Sequence, residues 1–175
     1  MLRPADDPLL QGLAQGREEA FAALYDRFSS ALYRVALTLL RSPADAEDAV
    51  QEVFVGLVRA GRGLRHVENL RAYLFAALRR AAARIATVPK RSRSLSPDEL
   101  VQLASPEPVR RDLESELRLE RALQALPDEQ REVVALKIDG GLTFAEIADV
   151  LGISANTAAS RYRYALEKLH AALES

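Results

Sequence analysis

Apolar side chains in this chain recur three and four residues apart, and that period leaves little choice of architecture. Over residues 20–40, Phe21, Leu24, Tyr25, Phe28, Leu32, Val35, Ala36 and Leu39 follow it with no Gly or Pro among them, which predicts an amphipathic helix. Arg41-Ser42-Pro43 breaks the pattern: Ser42 suits an N-cap, and Pro43 suits a first helical turn, where its missing N–H costs nothing. A second helix is predicted from there to about Ala60, with Ala46, Ala49, Val50, Val53, Phe54 and Leu57 inward, ended by Gly61-Arg62-Gly63. After a short basic loop, a third helix is predicted from about Val67, with Leu70, Leu74, Ala77, Leu78, Ala81 and Ile85 on one side and Arg79, Arg80 and Arg84 on the other. No alternating strand pattern of useful length occurs. The fold expected is all-α.

Residues 89–108 change character, with Pro89, Pro97, Pro106 and Pro108, four serines and a Lys-Arg-Ser-Arg cluster, the composition of a linker. Helical spacing resumes near Arg111 with Leu113, Leu117, Leu119 and Leu123, pauses at Pro127, and continues through Val133, Val134, Leu136 and Ile138 to Gly140-Gly141. The expected organisation is two small helical modules, 1–88 and 113–175, joined by a linker over 89–112. A chain of 175 residues has room for two such cores but not for a large catalytic fold.

Cysteine is absent, which excludes disulfides, thiolate catalysis and sulfur-ligated metals. No apolar run approaches the roughly 20 residues that span a bilayer, and the start MLRPADDPLL lacks the basic-then-apolar order of a secretory signal. A cytoplasmic location is expected. His66 and His170 lie far apart, no phosphate-binding glycine loop is present, and Glu47, Asp48 and Glu52 lack the Glu-x-x-His elements of carboxylate metal bundles. Neither catalysis, nor a metal, nor a cofactor is expected.

The net charge of -1 conceals a strong asymmetry. Between Arg62 and Arg93 there are nine basic residues against Glu68 alone, a stretch able to touch phosphates. Immediately upstream, Asp45, Glu47, Asp48 and Glu52 stand with no Lys or Arg among them. Two partners of opposite charge are implied, one of them polyanionic.

Residues 142–169 carry the most specific local pattern. Thr143 and Glu146 form a capping box that opens a short helix, Phe144 to Leu151. Gly152 tolerates positive φ, Ile153 can bury under the corner, and Ser154 can cap a second helix. This is helix-turn-helix spacing, in which the first helix props the second at an angle suited to the DNA major groove. At 100° per residue, Ala158, Tyr162, Ala165, Leu166 and Leu169 form an inward stripe, leaving Asn156, Ser160, Arg163 and Tyr164 outward. Arg can read guanine and Asn adenine, while Ser takes a base or a phosphate. From Leu113 onward, however, seven basic residues face eleven acidic ones, so this half alone should bind DNA weakly.

Phe21-Ala-Ala-Leu-Tyr-Asp-Arg-Phe28, Pro43-Ala-Asp-Ala-Glu-Asp-Ala-Val-Gln-Glu-Val-Phe54, Leu126-Pro-Asp-Glu-Gln-Arg-Glu-Val133, Thr143-Phe-Ala-Glu-Ile-Ala-Asp-Val-Leu-Gly152 and Thr157-Ala-Ala-Ser-Arg161 together resemble bacterial RNA polymerase sigma factors of the extracytoplasmic-function (ECF) group. The resemblance covers nearly the whole chain in order. It implies that Asp45, Asp48, Gln51 and Glu52 dock core RNA polymerase at its β′ clamp helices, with further contact to the β subunit. It implies that Arg62, Arg65, Arg71, Arg79, Arg80 and Arg84 hold the minus-10 promoter element as strands separate. Asn156, Thr157, Ser160, Arg161, Arg163 and Tyr164 would face the minus-35 element. An anti-sigma factor is a common partner in the group. The chain departs from the pattern at Tyr73, where the group usually has Trp, at Arg79-Arg80 and Arg84, and at Ala159, where a basic residue is usual. Two other functions fit the same residues: a polymerase-independent helix-turn-helix regulator, and a sigma-like decoy that binds polymerase without reading promoters.

Overall fold

The computed structural model describes residues 8–87 and 113–174; the predicted linker, with Lys90, Arg91 and Arg93, lies outside the described residues. Among the described residues there are helices and no strands. The elements are α1 (Pro8–Ala14), α2 (Glu18–Leu40), α3 (Pro43–Ala60), a 3-10 segment (Gly61–His66), α4 (Leu70–Thr87), α5 (Leu113–Ala125), α6 (Asp128–Ile138), α7 (Phe144–Leu151) and α8 (Ala155–Glu174).

Local chemistry sets most of the boundaries. Ser42 caps α3 by accepting the Asp45 N–H at 3.3 Å, with Pro43 in the first turn. Just before it, Arg41 closes α2 at φ 56°, its N–H donating to Leu37 O at 2.8 Å. A left-handed arginine is an uncommon way to turn a chain. It sets α2 and α3 side by side, burying Leu24, Phe28, Leu32 and Val35 against Ala46, Ala49, Val53 and Leu57.

Two predicted features of the next stretch are corrected. The basic loop is a 3-10 segment with Leu64 fully buried. Helix α4 starts at Leu70 rather than Val67, because Asn69 Oδ1 accepts the Ala72 N–H at 3.0 Å and caps it. Its buried stripe is Leu70, Leu74, Phe75, Leu78, Ala81 and Ala82, while Ala77 and Ile85 are half-buried.

In the last four helices, Arg131 is the buried charged residue: its Nη1 donates to Gln124 O (3.0 Å) and Leu126 O (2.9 Å), and its Nη2 bonds Asp128. The guanidinium thus satisfies the carbonyls that end α5, which explains how a cation is tolerated there. The expected leucine stripe of α5 holds only in part: Leu123 is half-buried against the core, and the side chain of Leu113 lies outside the described residues. Leu117 and Leu119 are exposed, and Ala122 and Leu126 are buried with Val134, Ala165 and Leu169.

The helix-turn-helix forms as predicted. Thr143 N–H donates to Glu146 Oε2 at 2.6 Å, Glu146 N–H donates to Thr143 Oγ1 at 3.2 Å, and Gly152 turns the chain at φ 67°. Ser154 Oγ then accepts the Thr157 N–H at 3.0 Å. Ala158, Ala165 and Leu169 of α8 are buried, but Leu166 is 43% exposed. It lies about 80° around the helix from Ala158, at the edge of the inward stripe.

The two halves are not separate bodies. Val133, Ala135, Leu136, Leu142, Ile147, Val150 and Ala158 belong to the same core cluster as the buried residues of α1–α4. Helix α2 packs on α6, and α4 packs on α7.

Candidate functional site

Three charged faces and one seam make up the candidate site. On α3 the inward stripe leaves Asp48, Gln51 and Glu52 exposed and Asp45 half-buried in the first turn. The same helix also exposes Val55 and Val58, the latter by 61%, and Phe54 meets the exposed ring of Tyr25 at 5.0 Å between centroids. Beside the carboxylates lies an open groove of about 670 Å³ lined by Tyr25, Ser29, Tyr33, Gln51, Phe54 and Val55 among others. Burial, reinforced by the negative charge of Glu47, raises the Tyr33 phenol above its ordinary value and keeps it a neutral donor. An acidic and amide face with an apolar lip suits a partner helix carrying both basic and apolar side chains. The lip was missed in the sequence, where only the inward stripe of this helix and its acidic residues were read.

The predicted arginines divide by environment. Arg62 and Arg65 project from the 3-10 segment and are exposed. Arg79, Arg80 and Arg84 are exposed along α4. Arg79 Nε lies 2.8 Å from Glu132 of α6, and Arg84 bonds Glu52 of α3. Among the described residues no carboxylate pairs with Arg62, Arg65 or Arg80. Arg71 differs from all of these. It is half-buried, donates from Nη1 to Gly140 O at 2.9 Å, and lies 5.5 Å from the centre of the Phe28 ring. Between α3 and α4 a cleft of about 200 Å³ gathers Glu52, Arg59, Tyr73, Arg80 and Arg84 with smaller side chains.

On α8, Asn156 and Thr157 are exposed in the first turn, the Thr157 hydroxyl 2.8 Å from Ser154 Oγ. Ser160 is half-buried. Arg161 is turned back to Glu129 of α6 at 2.5 Å, whereas Arg163 is exposed, with its guanidinium 5.0 Å from the centre of the Tyr164 ring. Arg163 and Tyr164 thus present a stacked cation and ring to solvent, a surface able to take a base or a phosphate.

The seam was not anticipated. Arg34 Nε meets Asp139 at 2.8 Å, Arg41 Nη2 meets Asp128 at 3.4 Å, and Asn69 Nδ2 donates to Glu146 Oε1 at 2.6 Å. Burial by itself would raise the Glu146 carboxyl; the Thr143 and Asn69 hydrogen bonds and the Arg71 charge outweigh it and hold it below its ordinary 4.5. The Gly140-Gly141 doublet is the one sequence signal for this contact. Gly141 sits at φ +64°, and a Cβ there would lie 2.6 Å from Arg71 Nη1; at Gly140 it would lie 2.6 Å from Leu136 O. Glycine lets the backbone come up to the arginine.

Among the described residues no cluster of three or more His, Asp or Glu could hold a metal, and no helix is long and apolar enough to cross a membrane.

Residues 24–87 match the family described as Sigma-70 region 2, and residues 116–169 match Sigma-70, region 4. The ECF RNA polymerase sigma factor SigK of Mycolicibacterium vanbaalenii is 31% identical over 173 residues, 95% of this chain and 88% of that protein. SigK of Mycobacterium ulcerans is 30% identical, over 95% of this chain and 92% of that protein. Among solved structures, CnrH in complex with the cytosolic domain of CnrY superposes with a TM-score of 0.70 at 26% identity, covering 97% of both chains. The sigma factor RpoE of Bartonella quintana, in complex with the anti-sigma factor NepR, gives 0.63 at 25% identity, covering 89% of this chain and 98% of that one.

Proposed function

Since the chain belongs to the ECF sigma factors, transcription initiation factors of the sigma-70 family, we propose that it docks core RNA polymerase through α3 and reads promoters with α4 and α8. Asp45, Asp48, Gln51 and Glu52 meet the β′ clamp helices, with the Tyr25–Phe54–Val55 lip adding apolar area. Arg62, Arg65, Arg79, Arg80 and Arg84 hold the backbone of the minus-10 element while the strands part, and Arg71 joins them when it leaves Gly140. Asn156, Thr157, Ser160, Arg161, Arg163 and Tyr164 face the minus-35 element in the major groove. Residues 1–88 and 113–175 act as the two modules and 89–112 as the tether, in the cytoplasm and without a cofactor.

The observation that carries this reading is the pairing of faces on one hairpin. An exposed acid and amide face on α3 is followed directly by an arginine face on α4, with a capped helix-turn-helix in the second half. Polymerase joins the two DNA-binding faces and raises their effective concentration on one promoter, which compensates for the acidic second half. CnrH and RpoE were solved bound to CnrY and NepR, and an anti-sigma protein of this kind is part of the proposal.

The test is initiation in a purified system of bacterial core polymerase, this protein and a randomised promoter library, with salt held constant. Transcripts from sites sharing two spaced elements are expected. Silence from a preparation that binds polymerase, alongside an active control sigma factor, would make it a decoy. Strong promoter protection without polymerase would make it an independent regulator.

A further inference from the structure

The 3-10 segment that carries Arg62 and Arg65 is built from residues that should leave it loose. Gly61 and Gly63 flank Arg62; Gly61 ends α3 at φ +47°, a conformation that favours glycine, and a Cβ at either would meet nothing within 4 Å, so neither glycine is there to make room. Two glycines around an arginine multiply the conformations open to it. The anchor is Leu64. Its side chain is fully buried, in the core that also holds Leu10, Leu13 and Ala14 of α1, the helix against which the segment packs. On the far side, the Val67 N–H closes the segment on Leu64 O at 3.1 Å.

Helix α1 is itself held tightly. Gly16 turns the chain at φ +71°, Arg17 N–H donates to Gly12 O at 3.0 Å, and a Cβ on Gly12 would lie 2.6 Å from the Cβ of Ala20. Absence of that Cβ lets α1 lie directly on α2. The Sigma-70 region 2 match begins at residue 24, so α1 lies outside it.

We propose that α1 is a positioning element for promoter opening: Leu13, through Leu64, holds the 3-10 segment so that Arg62 and Arg65 already face the DNA backbone when the strands part. This rests on the sigma-factor reading. Ordering a glycine-flanked arginine at the moment of opening would cost conformational entropy, and a pre-set segment avoids that cost. Neither Leu13 nor Leu64 touches DNA; each acts through the arginines beside Leu64.

The experiment uses the full chain with core polymerase and compares one promoter as a closed duplex with the same promoter carrying a pre-opened minus-10 bubble. Leu13→Ala and Leu64→Ala are expected to lower initiation on the duplex about tenfold while leaving the bubble template and polymerase affinity near those of the unchanged protein. Trypsin should cut the free variants faster after Arg62 and Arg65, and Leu13→Met should restore duplex initiation. An equal loss on both templates with helicity intact overturns the positioning role, as does undiminished duplex initiation despite faster cutting. Should both alanine variants lose helicity, Gly12→Ala decides, since it presses α1 away from Ala20 without emptying the core: a duplex-only loss supports the proposal, and an equal loss or none overturns it. If the unchanged protein initiates on neither template, the sigma-factor reading fails; if it initiates on both and the variants match it, only the role of α1 fails.

Discussion

The acidic face of α3 and the arginine face of α4 are both charged and meet opposite fates. On α3, Asp48, Gln51 and Glu52 point to solvent beside an apolar lip, and among the described residues only Glu52 is answered, through Arg84. On α4, Arg71 and Arg79 are engaged by Gly140 O and Glu132 of the second half, and Asn69 just before the helix is engaged by Glu146. A charged side chain states what it can bind; the fold decides whether it is still free to do so. The proposed polymerase face is thus largely open, while in the proposed DNA face Arg71 is held by a backbone carbonyl and Arg79 by one of the protein's own acids. On the proposed reading, promoter binding by Arg71 and Arg79 would require the seam to open.

The largest effect should come from the ready face. Glu52→Lys places a cation beside Arg84 and reverses the docking charge, so polymerase affinity should fall roughly tenfold to a hundredfold with helicity unchanged. A binding titration at fixed salt checks this, and unaltered affinity would remove α3 from the docking surface. Next in size, Gly141→Ala adds a Cβ that meets Arg71 and forces alanine into φ +64°, costing about 1–2 kcal/mol in urea unfolding. Polymerase affinity should barely move, and an equal drop there would abolish the distinction between the two faces.

A smaller effect is expected from Glu132→Gln, which frees Arg79. The pair is partly exposed, so stability should change by no more than about 1 kcal/mol. Binding of the free protein to single-stranded DNA should strengthen about two- to fivefold at low salt and lose that gain at high salt. If binding is unchanged at low salt, Arg79 is not a DNA contact.

The smallest effect concerns Glu146. Its carboxyl is held below 4.5 in the folded protein, so the unfolded state binds the proton more readily. The stabilisation is then fully present above about pH 4.5 and is lost as pH falls through the folded value. Glu146→Gln should flatten the acid side of the stability profile below pH 4.5 and leave the neutral side level; an unchanged acid slope would mean that the Asn69 and Thr143 bonds do not persist in solution.

What was legible in the residues was local. Ser42-Pro43 marked the start of α3, and Thr143 with Glu146 marked α7, because a cap is satisfied within one turn of the chain. Inward stripes were legible where branched and aromatic residues dominate, as in α2. They blurred in α5, where Ala122 is buried while Leu117 and Leu119 are exposed, and at Leu166, which the period brings only to the edge of its stripe. Arg71 and Arg80 could not be told apart, since both are arginines on one helix and only contact with Gly140, some seventy residues later, separates them.

By itself, then, the amino-acid order determined the helices, their caps, the helix-turn-helix and the inventory of charge, all of which depend on neighbours a few positions away. The tertiary structure alone decided which charges remain available: it joined the two halves through Val133, Leu136 and Ile147, set Glu132 and Glu146 against α4, and seated Leu64 in the core beneath α1. Those outcomes depend on shape and distance between segments far apart in the chain, and no helical period carries that information.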